Sequence, residues 1–186
     1  MKHKFINSSI SYVEIGQNKT TNLIIYGVYM AFDDGSAEKF ADFQSNLNFL
    51  TSQMSCHTRI PVVMMGDFNS DLERNNRFDQ SLRNFNNCML ECIEYSFPQN
   101  VLHTYSNGTY LSHIDHVFIN ASGKCIVNKC SIVSSQMNSS DHNAILTTIN
   151  MTVGRLMLNN KQSNKVYKFK WNHEEFVEEY NLCVDD

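Results

Sequence analysis

Ile60-Pro61-Val62-Val63-Met64-Met65-Gly66-Asp67-Phe68-Asn69-Ser70-Asp71 decides how the chain is read. An apolar run of strand length stops at a glycine, and polar groups follow at once. A buried strand that ends this way delivers a carboxylate, Asp67, and an amide, Asn69, to one rim of a sheet. That rim is the usual place for chemistry in a layered α/β fold. Gly66 lets the backbone turn or approach closely where the strand ends. Two later stretches share this character, Ser112-His113-Ile114-Asp115-His116-Val117 and Ser140-Asp141-His142.

Outward from this stretch, the pattern is one of alternating strands and helices. Ile10 to Ile15 alternates apolar and polar residues and reads as a strand. A turn at Gly16-Gln17-Asn18-Lys19 leads to a nearly all-apolar strand, Leu23 to Tyr29, and the two form a hairpin. Ser36 caps a helix over 36–55, with Glu38 in its first turn. Phe40, Phe43, Leu47, Leu50 and Met54 share one of its faces. Arg59 to Met65 returns to the sheet, so strand, helix and strand make a crossover unit. Phe78, Leu82, Phe85 and Met89 give helical spacing within 75–95, and Pro98 ends that segment. Asn100 to Tyr105 reads as a short strand. Asn107-Gly108 signals a hairpin into a strand from Tyr110 to Ile119. Cys125 to Val133 and Ala144 to Met151 are the last strands, the second closing the sheet. Residues 154–170 read as a basic linker, carrying Arg155, Lys161, Lys165, Lys168 and Lys170. Trp171 to Tyr180 has the spacing of a helix start. The expected organisation is a domain over 1–153 and a tail over 154–186.

Length and composition bound the class. The 186 residues are enough for one domain with a real core. Apolar residues make up 42% and charged residues 18%, a globular balance. A formal net charge of -4 argues against a strong non-specific nucleic-acid binder but leaves room for a nuclease with a local basic patch. Met1-Lys2-His3-Lys4 opens a polar stretch, so no secretory leader is expected, and the six cysteines are expected to be free thiols. Cys88 and Cys92 with Cys125 and Cys130 are spaced more loosely than paired zinc motifs, and small buried thiols explain them better. No apolar run approaches membrane-spanning length.

The polar groups suit hydrolysis of a phosphodiester. That reaction needs an activated water, neutralisation of charge on the phosphoryl oxygens and help for the leaving oxygen. Asp67 can orient or deprotonate the water, and Asn69 can bond the water or the phosphate. His142, when protonated, stabilises the transition-state anion, and Asp115 can hold its other ring nitrogen. Asp141 brings a further carboxylate, and Mg²⁺ suits such oxygen ligands. Each motif also has a plainer reading, as a turn, a cap or a structural ion pair. Asp115 resists it most, because an unpaired carboxylate in an apolar strand is costly. A chelate of His113, Asp115 and His116 is disfavoured, since in a strand His116 would point away from the other two. Tyr29, at the end of an apolar strand, is by default a core aromatic.

Gly27-Val28-Tyr29-Met30, Gly66-Asp67-Phe68-Asn69, Ser112-His113-Ile114-Asp115-His116-Val117 and Ser140-Asp141-His142, in that order, resemble the second half of the endonuclease/exonuclease/phosphatase family. They are most similar to the apurinic-type endonuclease domains of non-LTR retrotransposons. The resemblance runs from about residue 10 to 150. It implies part of a four-layer α/β sandwich, two mixed β-sheets flanked by helices. It also implies cleavage of DNA dependent on Mg²⁺, or on Mn²⁺ in its place. By the same resemblance Tyr29 contacts the phosphate, and Asp67 positions the water with Asn69 beside it. Asp115 pairs with His142, His142 binds the scissile phosphate, and Asp141 sits on the metal or nucleophile side. The family's first half carries an asparagine and a metal-binding glutamate that the residues before Tyr12 do not supply. The resemblance is therefore to an N-terminally truncated copy with impaired catalysis. The alternatives are a phosphatase or phosphodiesterase for a small or lipid substrate and a non-catalytic nucleic-acid-binding remnant. DNA is the expected partner, with no membrane and no obligate protein partner. A nuclear location would fit action on chromosomal DNA.

Overall fold

A computed structural model of the chain describes residues 2–17, 20–88, 90–134 and 139–151. The chain divides into two units, Met1–Gly154 and Arg155–Asp186, and the described residues all belong to the first. The linker and helix expected beyond 154 therefore lie outside them, as does Met89.

The elements run β1 (Lys2–Phe5), β2 (Ile10–Gln17), β3 (Thr20–Tyr29), α1 (Ala37–Cys56), β4 (Val62–Asp67), α2 (Arg77–Asn86) and β5 (Leu90–Cys92), then a single 3-10 turn at Ile93–Ser96. They continue with β6 (Tyr105–Asn107), β7 (Tyr110–Ser112), β8 (Asp115–Asn120), α3 (Ala121–Lys124), β9 (Val127–Val133) and β10 (Ala144–Ile149). Six strands form one mixed sheet in the order β1-β2-β3-β4-β8-β5. The β2–β3 hairpin is antiparallel and β3–β4 is parallel with α1 between them, so the expected crossover is present. Ser36 caps α1 by accepting from Lys39 N.

Alternation along the central strands separates two cores. Val62 and Met64 of β4 face the helices, packing with Ile24, Tyr26, Phe118 and the α1 and α2 residues Phe43, Leu50, Phe78 and Leu82. Val63 faces the other way, with Leu23, Val117, Ile119 and Cys130. The result is helices on one face of a mixed sheet and a smaller sheet on the other.

Several expected boundaries differ. The strand expected at Arg59 begins at Val62, because the Asn120 side chain takes over the preceding backbone. Its Nδ2 donates to His57 O and Ile60 O, and its Oδ1 accepts from Val62 N. The helical spacing toward Met89 is interrupted at Asn86, and Leu90–Cys92 instead pairs with β8. Asn100 to Thr104 is not a strand. Thr104 is fully buried and its Oγ1 accepts from Ile114 N and Asp115 N. The same bonds split the strand expected from Tyr110 to Ile119 into β7 and β8. The hairpin at Asn107-Gly108 is present, shifted by one residue. Asn107 still pairs with Tyr110, and Gly108 takes the first central position of the turn at φ +60. β10 does not close the main sheet; it pairs with β9 in a sheet of its own. β1 carries no apolar pattern and was not expected. It is an exposed edge strand with two lysines, held to β2 by backbone pairing.

Candidate active site

Three of the candidate residues stand side by side on adjacent strands. Tyr29, the last residue of β3, is in register with Asp67, the last residue of β4, and Asp67 is in register with Asp115, the first residue of β8. Parallel β3–β4 and antiparallel β4–β8 pairing thus bring one phenol and two carboxylates to one rim.

Gly66 makes that rim possible. Its φ is +141, and a Cβ there would lie 2.0 Å from Val28 O. Only glycine accepts both the conformation and the approach. Beyond Asp67 the backbone turns tightly. Asn69 N donates to Asp67 Oδ1 at 2.7 Å, and Asn69 adopts a left-handed conformation at φ +49. Its Nδ2 donates to Met30 O at 2.8 Å, while Met30 N donates to Asp67 O. The turn is therefore tied to the end of β3. Phe68 is buried beneath it, edge-on to Phe118.

His142 arrives from the loop before β10. A single bridge to Tyr105 fixes its backbone, and Tyr105 meets its ring edge-on at 5.1 Å. Its Nδ1 lies 2.8 Å from Asp115 Oδ2. Burial alone would lower the imidazole's pKa. The Asp115 hydrogen bond and charge, with Asp67 and Asp141, outweigh it, so the net shift is upward and favours the imidazolium. Asp67 is shifted upward too, by burial first and then by the charge of Asp115, against the opposing Asn69 N–H and His142. Asp141 is exposed; its carbonyl accepts from Ser106 N and its charge acts on His142.

Asp67, Asp115 and His142 each offer a ligand atom, and the three atoms lie within 4.8 Å of one another. Two crowded carboxylates, one with raised proton affinity, fit a cation that would relieve their repulsion. Asp67 and His142 border two clefts. One, of about 410 Å³, is lined by Tyr29, Phe32, Asn69, Arg74, Tyr105 and Tyr110. The other, of about 710 Å³, is lined chiefly by apolar residues of β4, β8 and β10, with Asp115 at its edge.

Tyr29 is 64% exposed at the cleft mouth and not in the core, because the strand ends there and the ring has left the packed layer. Arg74, Tyr105 and Tyr110 were not singled out in the sequence. Arg74 bonds the Tyr110 hydroxyl and pairs with buried Asp79 at 3.2 Å, a placement no local pattern announces. His113 and Asp115 do not share a face, since His113 precedes β8. It stacks instead on fully buried His116, with ring centroids 5.0 Å apart. The five described cysteines are free; Cys88 and Cys125 are exposed while Cys92 and Cys130 are buried. Among the described residues no helix is long and apolar enough to cross a membrane.

No protein-family model and no curated protein sequence matches the chain. Solved structures do. An AP endonuclease from Archaeoglobus fulgidus superposes with a TM-score of 0.62 at 12% identity, over 77% of this chain and 65% of its own. The endonuclease domain of TRAS1, a telomere-specific non-LTR retrotransposon, gives 0.58 at 16% identity, over 76% and 61%. An endonuclease/exonuclease/phosphatase family protein from Leptotrichia buccalis gives 0.54 at 18%, over 76% and 53%. The fold is that of the endonuclease/exonuclease/phosphatase proteins. The chain spans about two thirds of the length of the first of these structures, 65%. In that fold the shared rim of β3, β4 and β8 is where Tyr29, Asp67 and Asp115 meet.

Proposed function

We propose that this cleft hydrolyses a phosphodiester bond of DNA, as an endonuclease of the retrotransposon or apurinic type, with Mg²⁺ or Mn²⁺. The observation that carries the reading is the meeting of Tyr29, Asp67, Asp115 and His142 at one rim, with Asp115 bonded to the imidazole. The names of similar structures, an AP endonuclease and a retrotransposon endonuclease domain, support DNA as substrate.

Asp67 and Asp115 would hold the metal, with Asp141 on the metal or water side. When bound, the metal neutralises charge on the phosphoryl oxygens. Asp67 orients the attacking water and takes its proton. His142, held in place by its bond to Asp115, donates to a non-bridging oxygen as negative charge grows there. Tyr29 donates a hydrogen bond from its phenol to the same phosphate. Asn69, anchored on Met30 O, holds the water or phosphate from the turn. Arg74 adds positive charge at the cleft wall. The exposed rings of Tyr29, Phe32 and Tyr110 suit a ligand with stacking faces.

The test is nicking of supercoiled plasmid and of an abasic duplex by the full chain with Mg²⁺ or Mn²⁺. Cleavage that disappears with EDTA and with Asp67→Ala is expected. Equal activity in wild type and Asp67→Ala would overturn the reading. Release of phosphate from small or lipid phosphoesters with no DNA cleavage would replace it with a phosphatase. A DNA gel shift that persists in EDTA without cleavage would replace it with a binding module.

A further inference from the structure

A second cluster of titratable side chains lies on the opposite face of the main sheet from the cleft. Successive residues of β8 point to opposite faces, so Asp115 serves the cleft and His116 turns inward. There His116 Nδ1 lies 2.8 Å from Glu94 Oε1, and Cys92 Sγ lies 2.9 Å from the same oxygen. Cys92 Sγ and His116 Nδ1 are 3.6 Å apart. His113 Nε2 approaches Glu94 Oε1 at 3.5 Å, outside hydrogen-bond geometry, and is buried with no hydrogen-bond partner. Glu94 and His116 are fully buried, and Cys92 and His113 are 6% and 8% exposed.

We propose that Cys92, Glu94 and His116 bind a divalent transition metal of the zinc class, with His113 poised as a fourth ligand. This site is separate from the candidate metal group of Asp67, Asp115 and His142.

Four observations converge on it. The donor set is the first: one thiolate, imidazole nitrogens and one carboxylate select zinc-class ions over Mg²⁺. The spacing is the second. A triangle with sides of 2.8, 2.9 and 3.6 Å has its centre about 1.8 Å from every corner, so an ion seated slightly out of its plane and away from the sulfur reaches the bond lengths zinc makes to N, O and S. The tautomer is the third. His116 Nε2 donates to Ser70 O at 2.9 Å, which is how a ligating histidine is held by its other nitrogen. That bond leaves Nδ1 facing a carboxylate oxygen at 2.8 Å, so the gap holds either a second ring proton or a metal ion that displaces it. The last is charge. A thiolate and a carboxylate neutralise a divalent ion, so the filled site carries no net charge into a fully buried place. The unpartnered His113 nitrogen beside them is what a vacant coordination position would need.

Binding exchanges protons for metal. The Cys92 thiol proton leaves to solvent as the Sγ–metal bond forms, and a second proton leaves if His116 is doubly protonated beforehand. The ion would join β5, the 3-10 turn and β8. Through the Ser70 carbonyl it would also brace the turn that carries Asn69.

The experiment uses the full chain. Metal content is measured by elemental analysis after purification without chelator, and again after a strong chelator and addition of Co²⁺. Wild type is expected to hold about one zinc per chain, to lose melting temperature on chelation and to regain it with zinc. The cobalt form is expected to show thiolate-to-cobalt absorption in the near ultraviolet. Cys92→Ser should abolish that absorption and the zinc, while Asp67→Asn should keep both. A wild-type protein that holds no zinc and shows no thiolate–cobalt absorption would overturn the site, and this needs no variant to fold. Absorption that survives Cys92→Ser, or metal lost only with Asp67→Asn, would overturn it as well.

Discussion

Asp67 and Asp115 are direct partners across the β4–β8 pair, on the ladder's last rung. Like charges placed opposite one another destabilise a sheet. Here the cost shows as an upward shift of Asp67, from burial first and Asp115 second. For an acid with a folded pKa above its unfolded value, the folded state binds the proton more tightly. The penalty is therefore absent well below the ordinary carboxylate pKa and fully present above the raised one. Asp67→Asn removes it. The variant is expected to melt higher at neutral pH in EDTA, by on the order of 1 kcal/mol, or roughly 2–4 °C. Mg²⁺, which the thiolate-containing cluster does not select, should raise the melting temperature of wild type but not of the variant. Thermal melts with and without Mg²⁺ check both outcomes.

The imidazole beside this pair gives a second prediction. The His142 pKa is raised because the Asp115 bond and nearby carboxylates outweigh burial. In metal-free protein its NMR titration should lie above the ordinary histidine value of about 6.5. Asp115→Asn should bring it down. The sign for stability follows. The contribution is fully present below the unfolded pKa and is lost as pH rises through the raised folded value. Wild type should therefore lose stability relative to Asp115→Asn over that window. An unchanged His142 titration in the variant would show that Asp115 does not control the ring.

Gly66→Ala should damage the fold more than a change of one methyl suggests. The residue holds φ +141, and the added Cβ would meet Val28 O at 2.0 Å, a backbone atom that cannot move without parting β3 from β4. Strain and overpacking together should cost at least about 2 kcal/mol. Because Tyr29 and Asp67 are joined by the same ladder, any folded fraction should bind Mg²⁺ more weakly. Denaturant unfolding and metal titration of the variant measure the two effects. Gly108→Ala is the control. Its φ is also positive, at +60, but nothing lies within 4 Å of the added atom, so only the conformational strain remains.

What was legible in the sequence was what local order encodes. The apolar run into Gly66-Asp67, the spacing along α1 and the Ser36 cap each state their outcome within a few residues. The polar ends of β4 and β8 marked the rim for the same reason, since each interrupts an apolar pattern, whereas Asp141-His142 lies in a polar stretch and stood out only beside them. What escaped was set by partners far along the chain. β1 is a strand only because β2 lies beside it. Leu90–Cys92 leaves the helical spacing because β8 offers it an edge. Thr104 and Asn120 draw backbone N–H groups out of the expected ladders, across 10 and 58 residues. Arg74 and Glu94 are ordinary charged residues in sequence, and burial beside Asp79 and His116 makes them matter.

Asn120 provides the sharpest test of such long-range control. Its Oδ1 accepts from Val62 N and Gly123 N, and its Nδ2 donates to His57 O and Ile60 O. One side chain thus caps α3 and fixes where β4 begins. Asn120→Ala strands two buried N–H groups, each costing about 1–3 kcal/mol, so a loss of roughly 2–4 kcal/mol is expected. Asn120→Asp separates the two halves of the role. It keeps the accepting oxygen but sets a negative charge beside two carbonyl oxygens. The introduced carboxyl should then have a raised pKa in the folded state, because only its protonated form can donate. Its penalty should fade as pH drops through that value, with the melting temperature recovering toward wild type in mild acid, whereas the alanine variant's deficit should stay constant. Melts of the three proteins between neutral and mildly acidic pH decide it. Parallel curves for the aspartate and alanine variants would show that donation to His57 and Ile60 contributes nothing to holding β4 in place.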